Sequence, residues 1–202
     1  ALARPPVAGI GLSEFLAGLP DVLAARDLRT IAGEIARRHR AGRLLVLGMG
    51  GHPIKVGLGP LIIDLMERGI VSAVAMNGAG IIHDFEMAYQ GATSEDVGPL
   101  LIEGRFGMAE ETGRFLNDAT RGASEVGLGT AVGRAIENAG LRHAKLSILA
   151  AGVRLGVPVT VHVSIGADII HMHPAADGAA IGAASLRDFH LLAGIVQRLD
   201  GG

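Results

Sequence analysis

The chain has 202 residues, 49% of them hydrophobic and none of them cysteine, with a formal charge of -2. That length lets one domain bury roughly 70% of the surface its unfolded form exposes, and the lack of thiols excludes a disulfide framework and a cysteine nucleophile, with a reducing cytoplasm as the expected setting. The near-neutral balance gives no drive toward nucleic acid or anionic lipid, and with 3% aromatic residues and no Trp there is little to stack unpaired bases.

A small molecule is therefore the expected partner, with neither nucleic acid nor membrane. Residues Ala1 to Ile10 lack the charged start and apolar run of a signal peptide, and no apolar stretch reaches the ~20 residues that span a bilayer. The chain opens on Ala and closes at Asp200-Gly201-Gly202 directly after a helical pattern. It reads as a single domain, 1–202, or as a piece of a longer one.

In chain order, Leu28, Ile31 and Ile35 share one helical face, Arg37, Arg38 and Arg40 suit the negative end of that helix, and Gly42 suits its cap. Leu44 to Leu47 is a short apolar run feeding Gly48-Met49-Gly50-Gly51, the pattern of a buried parallel strand and a tight turn. Leu58, Leu61, Ile62 and Leu65 predict a helix with Pro60 near its start and Gly69 at its end, and Ile70 to Met76 a second strand. Strand, helix and strand make a βαβ unit.

Thr93-Ser94-Glu95-Asp96 resembles a helix start, and helices fit Met108 to Leu116 and Ala123 to Asn138. Leu146, Leu149, Ala150 and Val153 predict another, stopped by Gly156 and Pro158, before a third strand over Val159 to Ile165. The last helix is expected to start at the capping box Ser185-x-x-Asp188 and to bury Phe189, Leu192, Val196 and Leu199. The pattern is α/β, with a mainly parallel sheet flanked by helices.

Ligands of open α/β sheets bind beyond the carboxyl ends of the strands. Gly48-Met49-Gly50-Gly51-His52-Pro53 stands at one such end, but Pro53 replaces the third glycine of a dinucleotide fingerprint, so a turn needing positive φ explains it equally well. Asn77-Gly78-Ala79-Gly80 repeats the logic after the second strand, and two slim turns on neighbouring strands could line one crevice. His83 and Asp84 would follow on the first helical turn: His83 can exchange a proton near neutral pH, while Asp84 equally well caps the helix. Lys55 could meet a phosphate or act as an amine nucleophile.

Asp168, His171, His173 and Asp177, with His162 before them, form the richest polar cluster. Histidines two apart could ligate Zn²⁺ or Fe²⁺, but no supporting acid is identifiable. A dinucleotide or substrate pocket, or a subunit contact, is the preferred reading, with no metal.

The segment Leu45 to Gly57, the helix through Leu65 to Gly69, the run Val71 to Gly80 and the pair His83-Asp84 together resemble deoxyhypusine synthase in order and spacing. The resemblance covers about two-thirds of the chain, is strongest from Leu44 to Asp96, and continues more loosely through Pro158-Val159-Thr160-Val161 to Asp168. It implies a Rossmann-like three-layer fold, NAD as cofactor, Gly50, Gly51 and His52 in one NAD turn, and Asn77, Gly78, Ala79 and Gly80 in the other. It places His83 and Asp84 where the family has paired acids, and makes Asp168 the candidate for an acid near the pocket.

An NAD-dependent transferase acting on an amine, polyamine or amino acid through an imine would then use His83 as proton carrier, with Asp84 and Asp168 holding the ammonium. The family builds its sites between subunits, so a homo-oligomer, dimer or tetramer, is expected. The sequence departs from the family where a histidine replaces one acid, and where the imine-forming lysine and the later glycine-rich segment have no counterpart before Gly202. Two other readings stay open: a non-catalytic nucleotide-binding or regulatory subunit, and a metal-dependent enzyme centred on His162, His171 and His173.

Overall fold

The computed structural model describes all residues except 1–3, 6, 94–96 and 124. The chain divides into two compact units, 1–45 with 201–202, and 46–200. The first holds helices α1 (Leu12–Gly18) and α2 (Leu23–Arg40). Arg29 of α2 donates to Leu19 O at 2.7 Å and pairs with Asp21 at 2.8 Å, tying α2 to the segment after α1. The expected basic end of α2 and the left-handed Gly42 are both present, with φ +67° at Gly42. The stripe marked by Leu28 and Ile31 is more than half exposed.

The second unit contains strands β1 (Val46–Met49), β2 (Ala73–Asn77) and β3 (Val159–His162), in the order β1-β2-β3 and all parallel. Helices α3 (His52–Lys55) and α4 (Gly59–Glu67) join β1 to β2. Then come α5 (Gly78–Gln90), α6 (Val97–Ile102), α7 (Glu110–Arg121), α8 (Leu128–Asn138) and α9 (Ile148–Leu155), with α10 (Gly178–Val196) after β3. Among the described residues the sheet has three strands, so the structure shows an α/β unit with a small parallel sheet rather than a broad one.

Alternation puts Val74, Met76, Val159 and Val161 on one sheet face, and all four are buried. With Ile81 and Phe85 of α5, Val132 and Ile136 of α8, and Ile148 and Leu149 of α9 they form the core. Each such side chain contributes about 1.5–3 kcal/mol by leaving water. Gly129 brings α8 against β3: a Cβ there would stand 1.8 Å from Val159 O.

All three predicted strands exist, shifted or shortened by a few residues. Their limits follow the hydrogen-bonded register rather than the extent of the apolar run. The expected helix start at 93–96 falls largely on residues outside those described. The helix expected from Ala123 begins at Leu128.

The last helix differs most. It starts at Gly178, where Asp177 caps it by accepting from Ala179 N at 2.9 Å and Ala180 N at 3.1 Å. The Ala-rich run that follows is a good helix former, so the helix passes through Ser185 without pausing. Asp188 faces inward and accepts from Val161 N at 2.8 Å and Gly129 N at 2.9 Å, covering the outer edge of β3. That turns Phe189 and Val196 outward, to 56% and 52% exposure. At 19 residues, α10 is by length and composition alone the one helix among the described residues apolar enough to cross a membrane.

Candidate functional site

The carboxyl ends of β1 and β2 lie side by side, with Met49 paired to Met76. Gly50 and Gly51 lead from β1 into α3, and Asn77 leads from β2 into α5, where its Oδ1 accepts from Gly80 N at 3.0 Å. A Cβ on Gly50 would sit 3.5 Å from Asn77 Nδ2, and one on Gly51 3.0 Å from Ala79 O and 2.8 Å from His83 Cδ2. The two turns therefore face and touch each other.

Their glycines do not open an empty cleft between them, as the sequence led us to expect. The His83 ring lies over Gly51, and the Asp168 carboxylate lies over Gly78, where a Cβ would meet Asp168 Oδ2 at 2.0 Å. Gly51 and Gly78 are buried, and Gly80 is closed by Met76. Their missing side chains serve contact within the protein. Gly48 is different, since nothing stands within 4 Å of its notional Cβ. With the exposed His52 and Asn77 it forms the open part of this end of the sheet.

The space lies beside the turns, in a cavity of about 220 Å³ whose polar lining includes Lys55, His83, Glu86, Thr93 and Asp168. Ile82, Phe106 and Ile169 supply its apolar wall. Asp168 is held by Ser164 N at 2.7 Å. His83 Nδ1 lies 2.8 Å from Glu86 Oε2, and Glu86 is 4% exposed. Lys55 stands exposed at the rim, without the desolvation that makes a lysine a good nucleophile. Glu86, Thr93 and Phe106 were not anticipated. Glu86 had a signal, because His-x-x-Glu places both side chains on one helical face.

Asp84 is not in this cavity. It is fully buried and accepts from Ser147 Oγ at 2.5 Å, Ile148 N at 2.7 Å and Leu149 N at 3.1 Å, which fastens α5 to the start of α9. Burial pushes its carboxyl up to about 6, against the pull of those three donors. A fully enclosed carboxylate cannot meet a substrate ammonium, so its expected role is corrected to a structural one.

The histidine-rich segment is divided. His173 lines a second cavity of about 130 Å³ that shares Glu86 and Ile169 with the first. Its Nε2 lies 2.9 Å from Glu110 Oε2, and its Nδ1 accepts from Ala175 N at 3.0 Å. His171 lines neither cavity, and both its ring nitrogens are buried without a partner. Asp177 is spent on capping α10. His162 Nε2 lies 3.0 Å from Thr160 Oγ1, and burial lowers its pKa. Among the described residues no three metal-ligating side chains converge, so the centre on His162, His171 and His173 is not formed.

No family model and no curated protein matches this chain. Solved structures do. A protein assigned as a deoxyhypusine synthase from Entamoeba histolytica matches with a TM-score of 0.56 at 12% identity, over 95% of this chain and 76% of that one. A conserved protein assigned to the LOR/SDH type from Methanococcus maripaludis S2 matches with a TM-score of 0.50 at 19% identity, over 90% of this chain and 53% of that one. The chain thus spans about half the length of the latter. Such low identities speak for architecture alone, and on that ground this chain has the deoxyhypusine synthase-like fold.

Proposed function

We propose that this chain binds NAD at the carboxyl ends of β1 and β2 and acts on an amine or amino acid held in the adjoining cavity. The observation that carries the reading is the convergence of His83, Glu86 and Asp168 on one cavity beside two turns of small residues. In this reading the three-stranded sheet is the core of a Rossmann-like three-layer fold of a cytoplasmic enzyme.

The fit of a dinucleotide can be tested on the geometry. A cavity of about 220 Å³ lies below the ~300–1,000 Å³ of pockets for drug-sized ligands. It takes a small substrate, and most of a dinucleotide would have to lie outside it. The open strip of Gly48, His52 and Asn77, with Gly50 packed against Asn77 beside it, is the surface that suits this. The start of α5 suits a phosphate poorly, because the Asp168 carboxylate already stands over Gly78.

NAD, when bound, supplies a hydride acceptor for a carbon next to nitrogen. The protein's own residues do the remaining work. Asp168 attracts an ammonium, His83 carries a proton, and Ile82, Phe106 and Ile169 exclude water. Lys55, exposed at the rim, suits a substrate carboxylate better than an imine.

The reading extends to a homo-oligomer, supported by the outward Leu186, Phe189 and Val196 of α10, each more than half exposed. Turnover tests it: purified protein with NAD and a panel of polyamines, ornithine and lysine should form NADH in an amine-dependent way. Binding without turnover across that panel would favour the regulatory-subunit reading instead.

A further inference from the structure

The His83 ring is held on two edges and bare on a third. At one edge Nδ1 meets the Glu86 carboxylate, one helical turn further along α5, at 2.8 Å. Glu86 is only 4% exposed, so little water weakens the contact. At another edge the ring rests on Gly51, where any side chain would begin 2.8 Å from His83 Cδ2. The same notional atom would stand 3.0 Å from Ala79 O, which is backbone and cannot swing aside. Among the described residues nothing bonds Nε2, and it is not among the buried polar atoms left without a partner. The ring itself lines the cavity.

We infer that Glu86 and Gly51 are positioning residues, which hold the neutral His83 ring with its hydrogen on Nδ1 and turn a basic Nε2 toward the cavity. A carboxylate can only accept, so the Nδ1 facing it must donate, which leaves the lone pair on Nε2. An exposed pair three residues apart on a helix is worth a few tenths of a kcal/mol and orders little. This pair is nearly dry, and a hydrogen bond to a carboxylate shielded from water is strong enough to fix the tautomer.

The consequence for chemistry rests on the amine reading above. A bound ammonium gives up one proton to Nε2: its N–H bond breaks, an N–H bond forms on the ring, and the electron pair stays on the substrate nitrogen. The imidazolium then lies against Glu86, which offsets its charge. Returning the proton reverses the step.

Nitrogen NMR of the ligand-free full chain, with the His83 ring in its neutral form, tests the geometry without NAD or substrate. Wild type should carry its hydrogen on Nδ1. Glu86→Gln should keep that form, because its amide oxygen still accepts, whereas Glu86→Ala should revert toward the Nε2–H form that a free imidazole side chain prefers. In the amine assay Glu86→Ala should lower kcat tenfold or more with KM little changed, and Glu86→Gln should recover part of the loss. Hydrogen on Nε2 in wild type, or the same tautomer in wild type and Glu86→Ala, overturns the inference. Should Glu86→Ala not fold, the wild-type spectrum alone decides. The stated tautomer without amine turnover upholds the positioning role and removes the amine reading.

Discussion

Replacing Asp84 with Asn should make this protein's stability less dependent on pH, in a direction opposite to that of an ordinary salt-bridged carboxylate. Asp84 is fully enclosed, and its carboxyl rises from 3.8 to about 6 because desolvation outweighs the donors from Ser147, Ile148 and Leu149. A raised folded-state value means that the folded protein keeps a proton which the unfolded chain releases. The associated stability is complete below about 3.8 and is lost as pH rises through about 6. From 3.8 to about 6 the change corresponds to about 3 kcal/mol.

Asn mimics the uncharged form in part: its oxygen can accept from Ile148 N and its amide can donate to Ser147 Oγ, while Leu149 N, which donates to the other oxygen, loses its acceptor at every pH. Urea unfolding followed by circular dichroism, at pH 4 and pH 7 on both proteins, isolates the effect, because the other titrating groups cancel in the difference. Wild type should lose about 2 kcal/mol more than Asp84→Asn between those pH values, since at pH 4 the unfolded chain has already released part of its proton. Parallel behaviour would refute the reasoning. So would a wild type that gains on the variant as pH rises, since the three donors and the start of α9 would then be holding the charged form.

Asp188 is also pushed up by burial, to about 6, and it is the acceptor for Val161 N and Gly129 N. Asp188→Ala should therefore cost about 2–6 kcal/mol, from two stranded amides at 1–3 each, measured by denaturant titration. Phe189, 56% exposed on α10, can become Glu with little effect on the folded chain. If that face joins copies, Phe189→Glu should lower the mass seen in native mass spectrometry to that of a monomer, while circular dichroism stays the same.

The sheet was legible because each strand is an apolar run ending at a turn, and only the ends moved. The start of α10 was not, because Asp177 and the pair Ser185/Asp188 make equally good caps on paper. The choice falls to tertiary packing, which needs Asp188 against the edge of β3. At the site, the glycine turns indicated correctly that two strand ends meet. They did not show what fills the room that glycine leaves: the His83 ring over Gly51 and the Asp168 carboxylate over Gly78. Asp84 looked available because its partners come from residues 63 to 65 positions away. The contribution of Glu86 was within reach of the sequence, through its spacing from His83 alone.

Calorimetric titration of NAD into wild type and Gly48→Val tests the central claim most directly. Gly48 has open space where its side chain would be, and valine suits a strand, so the variant should fold as wild type does. Wild type should bind NAD saturably, and Gly48→Val at least tenfold more weakly, about 1.4 kcal/mol. Absence of NAD binding at millimolar ligand, or equal affinity in the two proteins, would contradict a nucleotide lying along the open strip beside β1.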